Sequence, residues 1–258
     1  ATTEEELIEP VLEALGFSYS RQKSPSTRGR LDVPDYVLFA QEEDKRAFLA
    51  EGARGNAWRR AVAILEAKRF GRPLGRRGEE PFEPTPANQI LRYLSDVKTI
   101  SGDKVLWGIL TNGRLWRLYY SNFDPRVDGY VEFDFEEIFG ESLLEESEES
   151  RQKRLEEFKL FYLLFRRDAF VPNPQRRGLT FLEWALEEGR KWEERVSDNL
   201  KEQIFGEVFR LLAKGFIEDA KRKGQRITED FLREVYNGVL VLLYRLLFLM
   251  YAEDRGLL

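Results

Sequence analysis

Hydrophobic positions change their period about midway along the 258-residue chain. In the first half, short apolar runs alternate with polar loops. From about residue 150 onward apolar residues recur at helical spacing, as in Phe181, Leu182, Ala185 and Leu186, and again in Phe205, Val208, Phe209 and Leu212. Thr3 is placed to cap a first helix with glutamates in its opening turn, an apolar stripe of Leu7, Val11, Leu12 and Leu15, and Gly16 to end it. A polar, basic loop from Ser20 to Arg30 (Arg21, Lys23, Arg28, Arg30) follows, and then β-branched and aromatic residues predict a strand over 36–39. Residues 41–56 read as a helical insert. The run Ala61-Val62-Ala63-Ile64-Leu65 reads as a strand buried on both faces.

Gly71, Pro73, Gly75, Gly78 and three further prolines mark a long loop before a helix over 87–100. Apolar runs at 105–110 and 115–120 flank Thr111-Asn112-Gly113-Arg114. The Asn-Gly pair predicts a tight hairpin with both central residues at positive φ. The pattern is a mixed α/β domain over 1–150 and a helical region over 151–258. Trp184 and Trp192, eight apart, fall near one helical face and read as core. Gly238–Tyr251 is the longest apolar stretch; at about 14 residues it is short for a bilayer and reads as part of a buried final helix.

The chain has no cysteine and no histidine. That excludes disulfides, thiol nucleophiles, cysteine- or histidine-held zinc and iron–sulfur sites, and histidine acid–base catalysis within it. Any metal must sit on oxygen ligands, which favours magnesium, manganese or calcium. The acidic opening ATTEEELIEP is unlike a secretory signal, so the expectation is a soluble, cytoplasmic chain with no membrane partner. Net charge is −5, yet residues 51–78 carry eight basic residues against two acidic ones, while 132–149 carry nine acidic residues and no base. A polyanion partner needs only a local basic surface, although each patch also fits an ordinary solvated face.

Carboxylates sit where the strand runs meet polar sequence. Glu66 and Lys68, two apart, point to the same side of a strand, and Asp35 heads the other strand. Such charges ending an apolar run are costly to bury unless compensated. A divalent cation held by Asp35 and Glu66, with Lys68 alongside, would compensate all three. Glu-Ala-Lys is also a common helical tripeptide, and a surface helix over 59–70 is the plain alternative.

Pro34-Asp35 followed by Glu66-Ala67-Lys68 resembles the PD-(D/E)XK nuclease motif. Three further stretches extend the resemblance. Asn88-Gln89-Ile90-Leu91-Arg92-Tyr93 looks like the Gln-x-x-x-Tyr element on the helix after the catalytic strand. Residues 107–119, from Trp107 through Thr111-Asn112-Gly113 to Tyr119, look like the following hairpin, and 244–257 resembles the helix that links nuclease to methyltransferase in single-chain type IIG restriction–modification enzymes. The resemblance implies a restriction-endonuclease-like mixed sheet flanked by helices, then a helical connector leading to methyltransferase and target-recognition domains. It implies Mg²⁺ (with Mn²⁺ able to substitute) on Asp35, Glu66 and the Ala67 carbonyl, Lys68 acting on the attacking water and the phosphate, and Gln89 and Tyr93 in support. Glu9 would be an accessory carboxylate. Arg59, Arg60, Arg69, Arg72, Arg76 and Arg77 surround the Glu66 strand and its exit loop and would contact DNA phosphates. No Walker phosphate loop and no Gly-rich cofactor loop occurs in the chain.

The leading expectation is a Mg²⁺-dependent endonuclease cutting double-stranded DNA, with paired domains as one route to cutting both strands. The alternatives are a non-catalytic nucleic-acid-binding or regulatory module, and a helical interaction protein with Glu-Ala-Lys on a surface helix.

Overall fold

The computed structural model describes residues 4–21, 33–75, 85–123, 129–140 and 147–256. Their contacts divide the chain into two compact units, Ala1–Ala185 and Leu186–Leu258. The expected seam near residue 150 lies inside the first unit.

The first unit is built on a six-stranded sheet in sequential order: β1 (Ser18–Arg21), β2 (Tyr36–Phe39), β3 (Ala63–Ala67), β4 (Trp107–Thr111), β5 (Leu115–Tyr120) and β6 (Tyr130–Asp134). All neighbours are antiparallel except β3 and β4, which run parallel because α3 (Pro86–Ser101) crosses between them. Glu-Ala-Lys thus opens from a strand, not from a surface helix. Strand β3 is buried along its whole length, as its continuous apolar run demands.

One face of the sheet is covered by α2 (Glu42–Ala50) and α3, whose Phe48, Ile90, Tyr93 and Leu94 join Val37, Ile64 and Leu110 in a single core cluster. Helix α3 starts at Thr85, whose hydroxyl accepts from the Asn88 amide, with Pro86 in the first turn; Gly102 ends it in a left-handed conformation. It lies close on β4 because Gly108 has no side chain. A Cβ there would come within 3.2–3.4 Å of Ile90 and Leu94. On the other face, after the short α4 (Phe135–Phe139), α5 (Glu148–Phe165) packs Phe161 and Phe165 against Trp116 and Phe133. That contact is why α5 belongs with the sheet. The short α1 (Glu9–Ala14) buries Leu12, and Gly16 follows it at φ 85° as expected.

Several local expectations are corrected. Ser20 and Arg21 form the end of edge strand β1, with Ser20 opposite Val37, although the stretch reads as loop because it carries no apolar alternation. The hairpin after β4 has Gly113 at φ 87°, while Asn112 does not take positive φ. The turn is closed by side chains instead. Asn112 Oδ1 accepts the Arg114 and Leu115 amides at 3.0 and 2.8 Å, and Thr111 Oγ1 accepts the Gly113 amide at 3.0 Å. Strand β6 went unpredicted because its outward positions are acidic. Glu132 pairs with Arg117 of β5 and Asp134 with Arg114 of the turn before it, so this part of the acidic stretch is ion pairing to the neighbouring hairpin rather than a bare solvated face. Thr3 lies outside the described residues.

The division falls inside α6 (Phe181–Lys201); the second unit holds its residues from Leu186 on, a π-helical stretch, Glu202–Val208, α7 (Phe209–Arg222), and α8 (Glu229–Asp254), which packs beside α7. Val235, Val239 and Leu243 of α8 form a small core with Ile204, Phe209, Leu212 and Ala213. The expectation of a buried final helix is not met. Helix α8 has 26 residues and is long and apolar enough, by length and composition alone, to cross a membrane, and only 22% of its most apolar window is buried. Burial needs a covering surface, and α7 covers one stripe only; Tyr244, Phe248 and Met250 remain exposed. The core assignment of Trp184 and Trp192 fails likewise, since both are exposed.

Candidate active site

Register between β2 and β3 brings the two acids together. Tyr36 pairs with Leu65 and Val37 with Ile64, so Asp35, one step before β2, stands beside Glu66 near the end of β3. Two backbone amides fasten the pair crosswise. The Ala67 amide donates to Asp35 Oδ2 at 2.8 Å, and the Asp35 amide reaches Glu66 Oε2 at 3.4 Å. Lys68 leaves β3 with its amide donating to the Thr111 carbonyl of β4 at 2.8 Å, which extends the parallel pairing by one residue. Its Nζ then donates to Glu66 Oε1 at 2.6 Å and to Gln89 Oε1 at 2.8 Å. Gln89 Nε2 donates in turn to the Tyr93 hydroxyl at 2.7 Å, the two residues being one helical turn apart on α3.

Five residues named from the sequence, Asp35, Glu66, Lys68, Gln89 and Tyr93, therefore form one connected chain of polar contacts. Ala67 is present through its amide. Glu9 is not joined to this group. It accepts from the Tyr36 hydroxyl at 2.8 Å and lies 3.7 Å from Arg21. Tyr36 alternates to the opposite side of β2 from Val37, away from the α3 face. Burial, with the Glu9 carboxylate next, pushes the Tyr36 hydroxyl above its ordinary range. Sequence reading did not find this Tyr36–Glu9–Arg21 cluster, since it depends on β1 being a strand.

The arginines divide by position. Arg69 and Arg72 sit on the exit loop after Lys68. Arg59 and Arg60 precede β3, at the end away from Glu66 and about 20 Å of extended chain from it, and Arg60 pairs with Glu51 at 2.7 Å. Arg76 and Arg77 lie outside the described residues. Asn112, which sequence reading treated only as a turn former, is buried and donates from Nδ2 to the Arg72 carbonyl at 2.9 Å, tying the hairpin to that exit loop. Removing three backbone-satisfying contacts by Asn112→Ala is expected to cost about 2 kcal/mol, roughly a 4–8 °C lower melt in a chain of this size. A melt within 1 °C of the parent by calorimetry contradicts that assignment.

Glu66 is only 2% exposed. Burial, then the neighbouring Asp35 carboxylate, raises its carboxyl to about 7, against the opposing pull of Lys68. Two carboxylates facing each other with one ammonium are thus under-compensated at neutral pH. Among the described residues, no group of three or more aspartates and glutamates is gathered to hold a metal ion. The oxygen donors of Asp35 and Glu66 nevertheless suit a hard divalent ion, whose charge would relieve the repulsion between them. No protein-family model, no curated protein and no solved structure matches the chain.

Proposed function

We propose that the first unit is a PD-(D/E)XK-type endonuclease domain that hydrolyses phosphodiester bonds of double-stranded DNA with Mg²⁺ or Mn²⁺, as the cleaving part of a restriction–modification enzyme. The observation that carries the reading is the convergence of Asp35, Glu66 and Lys68, drawn from 34 positions of sequence into contacts of 2.6–3.4 Å where the inner strands β2 and β3 meet their loops. An antiparallel run of β1 to β3 followed by a helical crossover to parallel β4 also fits the expected helix-flanked mixed sheet.

Asp35 and Glu66 would hold the cation, which when bound supplies a hydroxide at neutral pH and neutralises charge on the phosphate. Lys68 keeps an ammonium at the same place, able to hold a water and to offset developing negative charge. Gln89, fixed by Tyr93, orients that ammonium from behind through a second hydrogen bond. Arg69 and Arg72 supply phosphate contacts at the exit loop.

The test is conversion of supercoiled plasmid to nicked or linear forms by the purified chain. Cleavage is expected with Mg²⁺ or Mn²⁺, absent in chelator, and lost in Asp35→Ala. Metal-independent cleavage, or an Asp35→Ala variant that cuts like the parent, overturns the reading. DNA retained without any cut points instead to a non-catalytic binding module on the same scaffold.

A further inference from the structure

Helix α8 has two apolar faces and a neighbour for one of them. Val235, Val239 and Leu243, four apart, pack on Ile204, Phe209 and Leu212. Tyr244 and Phe248, turned away from that stripe by the helical repeat, are 67% and 66% exposed. With Val241, Arg245 and Leu249 they line an open groove of about 470 Å³ along one side of the helix. Between Val241 and Tyr251, eight large apolar residues are 39–67% exposed. Half-exposed side chains of this size present about 100 Å² each. The stretch thus offers roughly 800 Å² of apolar surface, against about 300–600 Å² for the largest patch of an ordinary monomer.

We propose that α8 pairs with the α8 of a second copy of this chain, antiparallel and crossing at Leu249. Two chains bring together roughly 1,600 Å² of such surface, the size of a standard stable interface. The charges are self-complementary. Val241, Arg245, Leu249 and Glu253 form one ridge of residues four apart, the kind of ridge that interdigitates in the commonest helix packing. Arg245 and Glu253 are exposed and lie four residues either side of Leu249, so an antiparallel crossing there sets each arginine opposite the glutamate of the other copy. A two-fold axis repeats the contact, giving two ion pairs that flank an apolar centre. A lipid bilayer is a poorer cover. Arg245 sits within the apolar stretch, and α7, packed alongside, carries Lys214, Glu218 and Asp219. The pairing does not depend on the proposed nuclease activity, and either can fail without the other.

Sedimentation velocity of the full chain at micromolar concentration reads the pairing directly. The parent is expected as a dimer, twice the 30.4 kDa of one chain. Arg245→Glu and Glu253→Arg each set like charges opposite one another at both contacts, and each should weaken the dimer at least about tenfold. An equal mixture of these two variants should dimerise as strongly as the parent, because both contacts of the mixed pair are again of opposite sign. Phe248→Ala should weaken the dimer about 10²-fold with unchanged helix content by circular dichroism, since its ring is largely exposed in the single chain. A parent that stays monomeric, a dimer that neither charge reversal weakens, or a mixture no stronger than its components overturns the α8 pairing. A monomeric parent that floats with phosphatidylcholine vesicles overturns it too and assigns α8 to a membrane.

Discussion

Lys68→Ala is expected to slow plasmid cleavage about 10²- to 10³-fold, the scale seen when a group stabilising transition-state charge is lost. Its ammonium is the positive charge in contact with the Asp35–Glu66 group, 2.6 Å from Glu66 and 2.8 Å from Gln89. Removal also takes away the pull that opposes protonation of Glu66, whose carboxyl then rises further above its ordinary range. Any residual activity should therefore peak at higher pH than in the parent. The fold should survive, because a protonated Glu66 carries no buried charge; a melt at pH 6 within a few degrees of the parent checks this. Lys68→Arg is expected to restore little, since a planar fork does not replace a compact ammonium shared between Glu66 and Gln89. An alanine variant that cleaves within tenfold of the parent would leave Lys68 as a structural ion pair and no more.

The second large effect concerns stability. The Glu66 carboxyl is raised from an ordinary 4.5 to about 7, chiefly by burial. A group raised on folding binds its proton more tightly in the folded state. Its contribution is fully present below about pH 4.5 and is lost as pH rises through 7. Glu66→Gln removes this dependence. Relative to the parent it should gain little at pH 4.5 and up to about 3 kcal/mol at pH 8.5, or roughly 6–12 °C in the melt. Mn²⁺ acts in the opposite direction on the parent. It should raise the parent's melt more at pH 8 than at pH 5.5, where protons compete for Glu66, and should scarcely move Glu66→Gln. Thermal melts of both proteins from pH 4.5 to 9, with and without Mn²⁺, decide the matter. A parent–variant difference that stays flat across that range removes the buried, strained carboxylate from the account.

Much of the first unit was legible because its local signals agree with one another. The apolar run before Glu66 fits a strand covered on both faces, and the order of elements around it weighs against the alternative of a surface helix over 59–70. The helix expected over 87–100 spans Pro86–Ser101, which Thr85 and Pro86 open and Gly102 closes. Gln89 and Tyr93 were singled out by the family resemblance alone, and their spacing of one turn on α3 is what lets them touch. What failed has physical reasons too. Strand β1 is an edge of four residues held by backbone pairing, with little apolar pattern to betray it. The Asn-Gly turn was given the wrong geometry, since Asn112 spends its side chain on three backbone partners rather than adopting positive φ. Glu9 looked available to the site, and only the Tyr36 hydroxyl shows where its carboxylate goes.

From α6 onward, periodicity indicated helices but misjudged their burial. Trp192 is 63% exposed although it lies in helical phase with Trp184, and α8 is apolar on faces that α7 does not cover. Amphipathic phase says which side of a helix prefers to be dry; it does not say that a neighbour is present to dry it.

The residue order alone thus indicated the helical character of the second half, four of the six strands and the absence of thiol and imidazole chemistry, because these depend on composition and on neighbours a few positions apart; Asp35, Glu66 and Lys68 were picked out by the order of elements and the family resemblance. Whether Asp35 meets Glu66, whether Glu9 joins them, and how far burial lifts the Glu66 carboxyl depended on strand register and on what covers each face. Those are long-range pairings between segments some thirty residues apart, and a chain's local pattern carries no distance across them.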